Sequence, residues 1–331
     1  MTSTPTRARP RTVGRARAVL RRLGSLVLTL WVASFVVFAS LSLVPGDPTA
    51  WLLRGHNPSP QARAAIREQY HLDEPFLVRY GHWLGGVLHG DFGRSLRDRA
   101  PVSHLLATQL PTTLTLVALS GLLITIVGMT VGAYAALRHG RVSERVVLLL
   151  VTIGFATPSF VAAIVLKWIF ALKLGIFPTF GLGDGGWGDR LQHLALPTVA
   201  LSVTYLALVT RITRSAMLEQ LSRDHVEVAI ARGLPRRQVI WRHVFRNALG
   251  PILTVSGPNI AALLVSSMIV EYAFGLPGIG QLLVSAADTN DFPVVQAIVL
   301  VLVAAFVIAN TLVDLVYPLL DPTITSPQAA R

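Results

Sequence analysis

No cysteine occurs in the 331 residues. That excludes disulfides, thiolate nucleophiles and thiolate metal sites, and leaves the redox compartment unread. Charge is scarce too: charged residues make up 14% of the chain against 52% hydrophobic, a balance that excludes an ordinary soluble domain and points to an integral membrane protein. Lysine is nearly absent, since of 29 basic residues only Lys167 and Lys173 are lysines, although the net charge is +12. The arginines fall largely in short segments beside apolar runs, which suits anionic lipid rather than nucleic acid as a partner. No Gly-x-x-x-x-Gly-Lys-Ser/Thr loop is present, so the chain offers no nucleotide site of that kind. No nucleophile, base and orienting group gather in one motif, and no catalytic residue is assigned. Gly90-Asp91-Phe92-Gly93 matches the kinase metal triplet by letter, but no lysine-bearing strand or catalytic loop accompanies it, and a glycine-permitted turn is the better reading. His193 has no companion at ligand spacing; it reads as an interfacial helix-start residue, and no metal ligand is assigned.

What is present is a series of apolar runs of about 20 residues, the length a helix needs to cross the hydrocarbon core. Residues 1–22 carry seven arginines and no acid, and residues 23–45 form the first span. A signal peptide would have a shorter apolar core and a small-residue cleavage site. Here Val44-Pro45-Gly46-Asp47-Pro48 follows, so the run is read as retained, with the N-terminus in the cytoplasm. Residues 46–110 are mixed in character and read as an extracytoplasmic segment. Gln61 to Tyr70 has the pattern of a short amphipathic helix, and Pro75 to Leu84 suits the membrane surface. A five-span core follows over 111–318, with spans at about 111–137, 146–172, 193–210, 250–270 and 293–317, and then a tail, 319–331.

Arg138 to Arg145 holds three arginines against Glu144, and Arg211 to Asn247 holds eight, which places both loops inside. Gly175 to Asp189, with Trp187 as an interfacial anchor, belongs outside. So does Glu271 to Phe292, with Glu271, Asp288 and Asp291 and no lysine or arginine. The fold class is therefore all-α integral membrane, with six transmembrane helices, a sizeable segment between the first two, and both termini cytoplasmic.

Within the spans, Gly128 and Gly132 stand four apart on one face and favour close internal packing. Thr157-Pro158 should loosen the third span. Lys173 can snorkel, and Lys167 is either interfacial too or a residue of an ion path. The fifth span is the most polar, and Ser256, Asn259, Ser266 and Ser267 either line a substrate path or pack between helices. Asp314 is expected to bond to a neighbouring helix.

The 211–249 loop has internal structure. Asp224-His225-Val226-Glu227 has the form of an Asp N-cap with Glu at the third helical position. The helix should end at Arg232, because Gly233 can take the left-handed conformation, and a new helix can start at Pro235. Two short helices meeting at a glycine make a rigid knob.

Glu227-Val228-Ala229, three residues and then Gly233 resembles the EAA signature of permease subunits of binding-protein-dependent ABC importers. Val228 replaces the second-position Ala, and Phe245-Arg246 stands where the signature ends in Leu-Pro. Arg232-Gly233-Leu234 and His243 to Leu249 resemble the dipeptide/oligopeptide branch. So do Pro45 to Pro48, Leu72 to Pro75, Gly90 to Ser95, Pro101-Val102, Asn310 to Leu315 and Leu320-Asp321-Pro322, with Thr323 where an arginine is usual.

The resemblance implies a type I importer permease fold in a prokaryotic plasma membrane. It implies a second homologous permease, one or two kinds of ATPase subunit carrying ATP and Mg, and an extracytoplasmic substrate-binding protein; the chain itself would hold no cofactor. Its knob would be the coupling helix. Within the coupling loop Asp224 starts the helix, Glu227 pairs with a basic group of the ATPase, Ala229 leaves room for close approach, and Gly233 sets the bend. Arg232 and Arg236 meet acidic groups or inner-leaflet lipid. Peptide is the implied solute, while relatives carry nickel chelates, glutathione and sugars. Two other classes fit less well. An ion-driven secondary transporter would show midplane carboxylates or histidines and broken helices paired in two halves, and a non-transporting anchor would need no knob.

Overall fold

The computed structural model describes residues 11–42, 61 and 73–320. Outside them lie residues 43–60 with the Pro45 to Pro48 motif, most of the expected Gln61 to Tyr70 helix, residues 1–10 and the tail from Asp321; the side chains of Ser256 and Asp314 are likewise not described. The described chain is all-α, and its one β feature is an isolated bridge between Arg94 and Pro101.

The helices are α1 (Arg11–Ser42), α2 (Phe76–Leu88), α3 (Val102–Leu137), α4 (Val142–Ala156), α5 (Ser159–Leu166), α6 (Trp187–Leu221), α7 (Asp224–Ala231), α8 (Arg236–Gln238), α9 (Arg246–Phe274), α10 (Ile279–Asp288) and α11 (Phe292–Leu320). Two π-helical stretches continue them: Lys167–Lys173 extends α5, and Val239–Phe245 joins α8 to α9. By length and composition four helices can cross a membrane, α1, α3, α6 and α11, and six spans result if the bent pairs α4–α5 and α9–α10 count as one each.

Both bent pairs depart from the sequence reading. Pro158 does more than loosen the third span: α4 stops at Ala156, α5 restarts at Ser159, and the two differ in direction by 106°. Thr157 is extended (φ −91°, ψ 112°), as a residue before proline prefers. Its carbonyl accepts the Thr204 hydroxyl at 3.0 Å, which satisfies a group that apolar surroundings could not. The other pair replaces part of the expected outer loop, since α10 turns by 73° after α9.

Helices also overrun their apolar cores. α6 has 35 residues, about 52 Å against a hydrocarbon thickness of about 30 Å. Arg211 and Arg214 therefore lie on its projecting end rather than in a loop. The helix expected at Pro235 is likewise no separate short element, because it runs on into α9.

The α3–α6 pair is the most extensive contact in the bundle. Gly128 and Gly132 face α6, and a Cβ at Gly132 would lie 2.6 Å from Thr210 O and Thr213 Cβ, so both glycines serve internal packing. Leu116, Leu201, Met217, Leu263 and Ile298 fill the core between α3, α6, α9 and α11. The peripheral α1 rests on α11 and carries α2. Phe35 and Phe38 meet Phe76 and Tyr80 with ring centroids 5.2–5.7 Å apart, and the Ser34 and Tyr80 hydroxyls bond at 2.8 Å.

Candidate coupling surface and its anchors

The knob is built from backbone outward. α7 begins after Arg223, which occupies the cap position without a side-chain cap bond. Asp224 is thus the first helical residue rather than the N-cap, and Glu227 the fourth, so the expected capping box is absent. Both acids still sit in the first turn, where the helix dipole favours negative charge. At the other end Gly233 has φ +74°. Gly233 N–H donates to Ile230 O at 2.9 Å and Leu234 N–H to Ala229 O at 3.3 Å, the paired bonds of a Schellman motif. Leu234 then packs on the core. Gly233 therefore stands where the sequence put it.

Val226 and Ala229 are the buried face of α7. Ala229, expected to give room to a partner, instead gives room to the chain's own core. The outward face is Asp224, Glu227, Val228, Ile230, Arg232 and Gly233, with Arg236 and Trp241 beside it. Ile230 is 61% exposed and Trp241 60%, so the surface combines apolar contact area with acids in the first turn of α7 and arginines after its end. His225 Nε2 lies 3.3 Å from His243 O, which also accepts Asn247 Nδ2 at 2.8 Å, and these contacts hold α7 against the start of α9.

The candidate path residues divide. Ser267 is fully buried, and its hydroxyl donates to Leu264 O at 2.9 Å within its own helix. Ser266 Oγ lies 3.2 Å from the Tyr205 hydroxyl, bridging α9 to α6. Asn259 is half-buried.

Sequence reasoning missed the anchors at the far end. Glu271 and Asp291, expected on a solvated loop, are 0% and 1% exposed. Glu271 Oε2 accepts Gly280 N–H at 2.8 Å, and Thr113 Oγ1 accepts Ile279 N–H at 3.0 Å, so α10's first free amides are met by side chains from α9 and α3. Asp291 accepts the Ser95 hydroxyl at 2.5 Å, Leu96 N–H at 3.1 Å and Arg97 N–H at 3.2 Å, pinning the loop before α3. Lys167 donates to Ala273 O at 2.8 Å and lies 3.3 Å from the Phe180 ring centre, placing a cation at the C-terminus of α9. His193 Nδ1 lies 2.9 Å from Gly181 O and fastens the glycine-rich loop. Among the described residues no group of three or more His, Asp or Glu could hold a metal.

A multi-pass helical bundle that presents a short exposed helix closed by a left-handed glycine has the form of a membrane permease subunit. The comparisons name the class. The model of the binding-protein-dependent transport system inner membrane component matches residues 128–326, and that of the N-terminal part of such components matches 16–117. The chain belongs to this family, that of the membrane permeases of binding-protein-dependent ABC importers. It is 38% identical to the probable peptide ABC transporter permease protein y4tP of Sinorhizobium fredii, over 92% of this chain and 98% of that one. It is 37% identical to the glutathione transport system permease protein GsiC of Salmonella typhimurium, with the same coverage.

Solved structures share the fold. A MetNI methionine ABC transporter in an inward-facing conformation superposes with TM-score 0.54 at 20% identity, covering 65% of this chain and 96% of that one. An amino acid ABC transporter gives 0.50 at 18%, covering 65% and 94%.

Proposed function

We propose that this chain forms half of the translocation path for di- or oligopeptides, which an extracytoplasmic binding protein delivers and a separate ATPase drives. A second homologous permease supplies the other half, and one or two kinds of ATPase subunit hold ATP and Mg. The observation that carries this reading is the α7 knob. It is closed by Gly233, follows the projecting end of α6 and packs on the Val239–Phe245 stretch, with its acidic, apolar and basic side chains turned outward. ATP-driven association of the ATPase subunits would move such a knob as a unit and bias the spans between inward- and outward-facing states.

In this reading the 211–249 end and both termini face the cytoplasm, the segment 46–110 receives the binding protein, and Arg232 and Arg236 meet acidic groups or anionic lipid. Asn259 and Ser266, with Ser256, belong to the path, and Ser267 to packing. The peptide class rests on the name of the y4tP relative. Glutathione, itself a small peptide, is the second reading, favoured by the GsiC relatives.

The test is an affinity pull-down of the tagged chain from mild detergent, wild type against Gly233→Asp, followed by uptake of labelled dipeptide, oligopeptide and glutathione. Wild type should recover an ATPase and a second permease, and Gly233→Asp should lose the ATPase and uptake while remaining inserted. Recovery of no ATPase by wild type in several detergents refutes the importer assembly.

A further inference from the structure

We infer that Glu144 is a positioning residue that makes α4 follow α6, so that movement of the knob reaches the break at Pro158. This rests on the coupling role of α7 proposed above. Glu144 stands in the first turn of α4 and is 4% exposed. Its Oε1 accepts Arg214 Nε at 2.7 Å and Arg214 Nη2 at 2.5 Å, and lies 3.0 Å from His139 Nδ1; its Oε2 accepts Gly140 N–H at 2.6 Å. One carboxylate thus holds three segments: α4, the turn after α3, and α6 seven residues before its end. A buried carboxylate is retained only where its partners compensate for lost water, and a forked guanidinium fixes direction as well as charge.

α4 runs antiparallel beside α6, and a second clamp lies at its other end, where Thr204 Oγ1 donates to Thr157 O. The two clamps use Arg214 and Thr204 of one continuous helix, which leads directly to α7. Displacement of α6 therefore carries α4 at both ends, and the second clamp sits on the 106° break. Without the Glu144 clamp, α4 keeps only the Thr157 bond and apolar contact such as Gly154 on Val203, and it can slide along α6.

The experiment uses the full complex in proteoliposomes and reads solute imported per ATP hydrolysed. Wild type must first show both activities; absence of both refutes the importer reading itself and not the clamp alone. Glu144→Gln should keep its ATPase and hydrolysis but lower the ratio about tenfold. An unchanged ratio, or loss of the ATPase from the complex, overturns the clamp. If Glu144→Gln does not accumulate in the membrane, Arg214→Gln is read by the same criteria.

A second measurement separates transmission from mere stability. The chain has no native cysteine, so Glu144→Cys with Arg214→Cys places a thiol pair unique within this chain, which a short bismaleimide can bridge; the same treatment of the complex without these two cysteines is the reference. The ratio should be low before bridging and recover several-fold after it. Failure of the bridged variant to recover overturns the inference.

Discussion

The two ends of α3 treat buried acid in opposite ways. Near Leu137, Glu144 is met by a side-chain cation, Arg214, together with His139 and one amide. Toward Val102, Asp291 is met by backbone amides and the Ser95 hydroxyl, and Glu271, beside Thr113, by the Gly280 amide. Sequence accounts for only part of the contrast: eight arginines crowd 211–247 and 271–292 contains no lysine or arginine, yet the loop on Asp291 carries Arg94, Arg97 and Arg99. It is that loop's amides and the Ser95 hydroxyl that reach the carboxylate, and such contact requires close backbone approach. At Glu271, Gly278 and Gly280 supply it, since a Cβ at either would overlap Glu271 Oε2, and one at Gly280 would also strike Met268.

The contrast can be broken by substitution. The largest effect is expected at Asp291→Ala, which strands the amides of Leu96 and Arg97 and should cost about 3 kcal/mol, read as thermal unfolding in detergent and faster proteolysis at Arg97. Asp291→Asn keeps an acceptor and should cost less; equal losses would mean that charge, not amide geometry, sets the anchor. Next is Gly280→Ala, which forces Met268 away and should cost about 2 kcal/mol by the same unfolding measurement. At the arginine-rich end Gly233 has open space around its Cβ position, so only its φ resists substitution. Gly233→Val should cost about 1–2 kcal/mol and weaken ATPase recovery, while Gly233→Asn, tolerant of that φ and without the charge that Gly233→Asp sets on the docking face, should cost less. The smallest effect belongs to Arg223→Ala. Its pair with Glu219 is exposed on both sides, and the loss should stay within about 0.5 kcal/mol.

Sequence made the apolar spans, the packing role of Gly128 and Gly132, and the Gly233 stop legible, because each follows from local rules of length, side-chain size or φ. It misjudged features decided by tertiary partners. Thr157-Pro158 becomes a full break because the Thr204 hydroxyl is there to donate to the freed carbonyl. Glu271 and Asp291 look like solvated loop acids until α10 and the 94–99 loop are placed against them. Ala229 carries no mark of which side it faces. One signal was available for α10: Gly275-Leu276-Pro277-Gly278 before it and Asn290 after it are stop chemistry at both ends of an apolar decade. Gly275 and Asn290 do adopt positive φ.

The π-helical stretch Val239–Phe245 lies between the knob and α9. Such a bulge amounts to one extra residue in an α-helix, a turn of about 100° and an advance of about 1.5 Å. It therefore acts as a phase shifter, setting the compass bearing of Arg236 and α7 relative to α9. Deleting Val239 or Ile240 would leave every side chain of α7 intact and point the knob in the wrong direction.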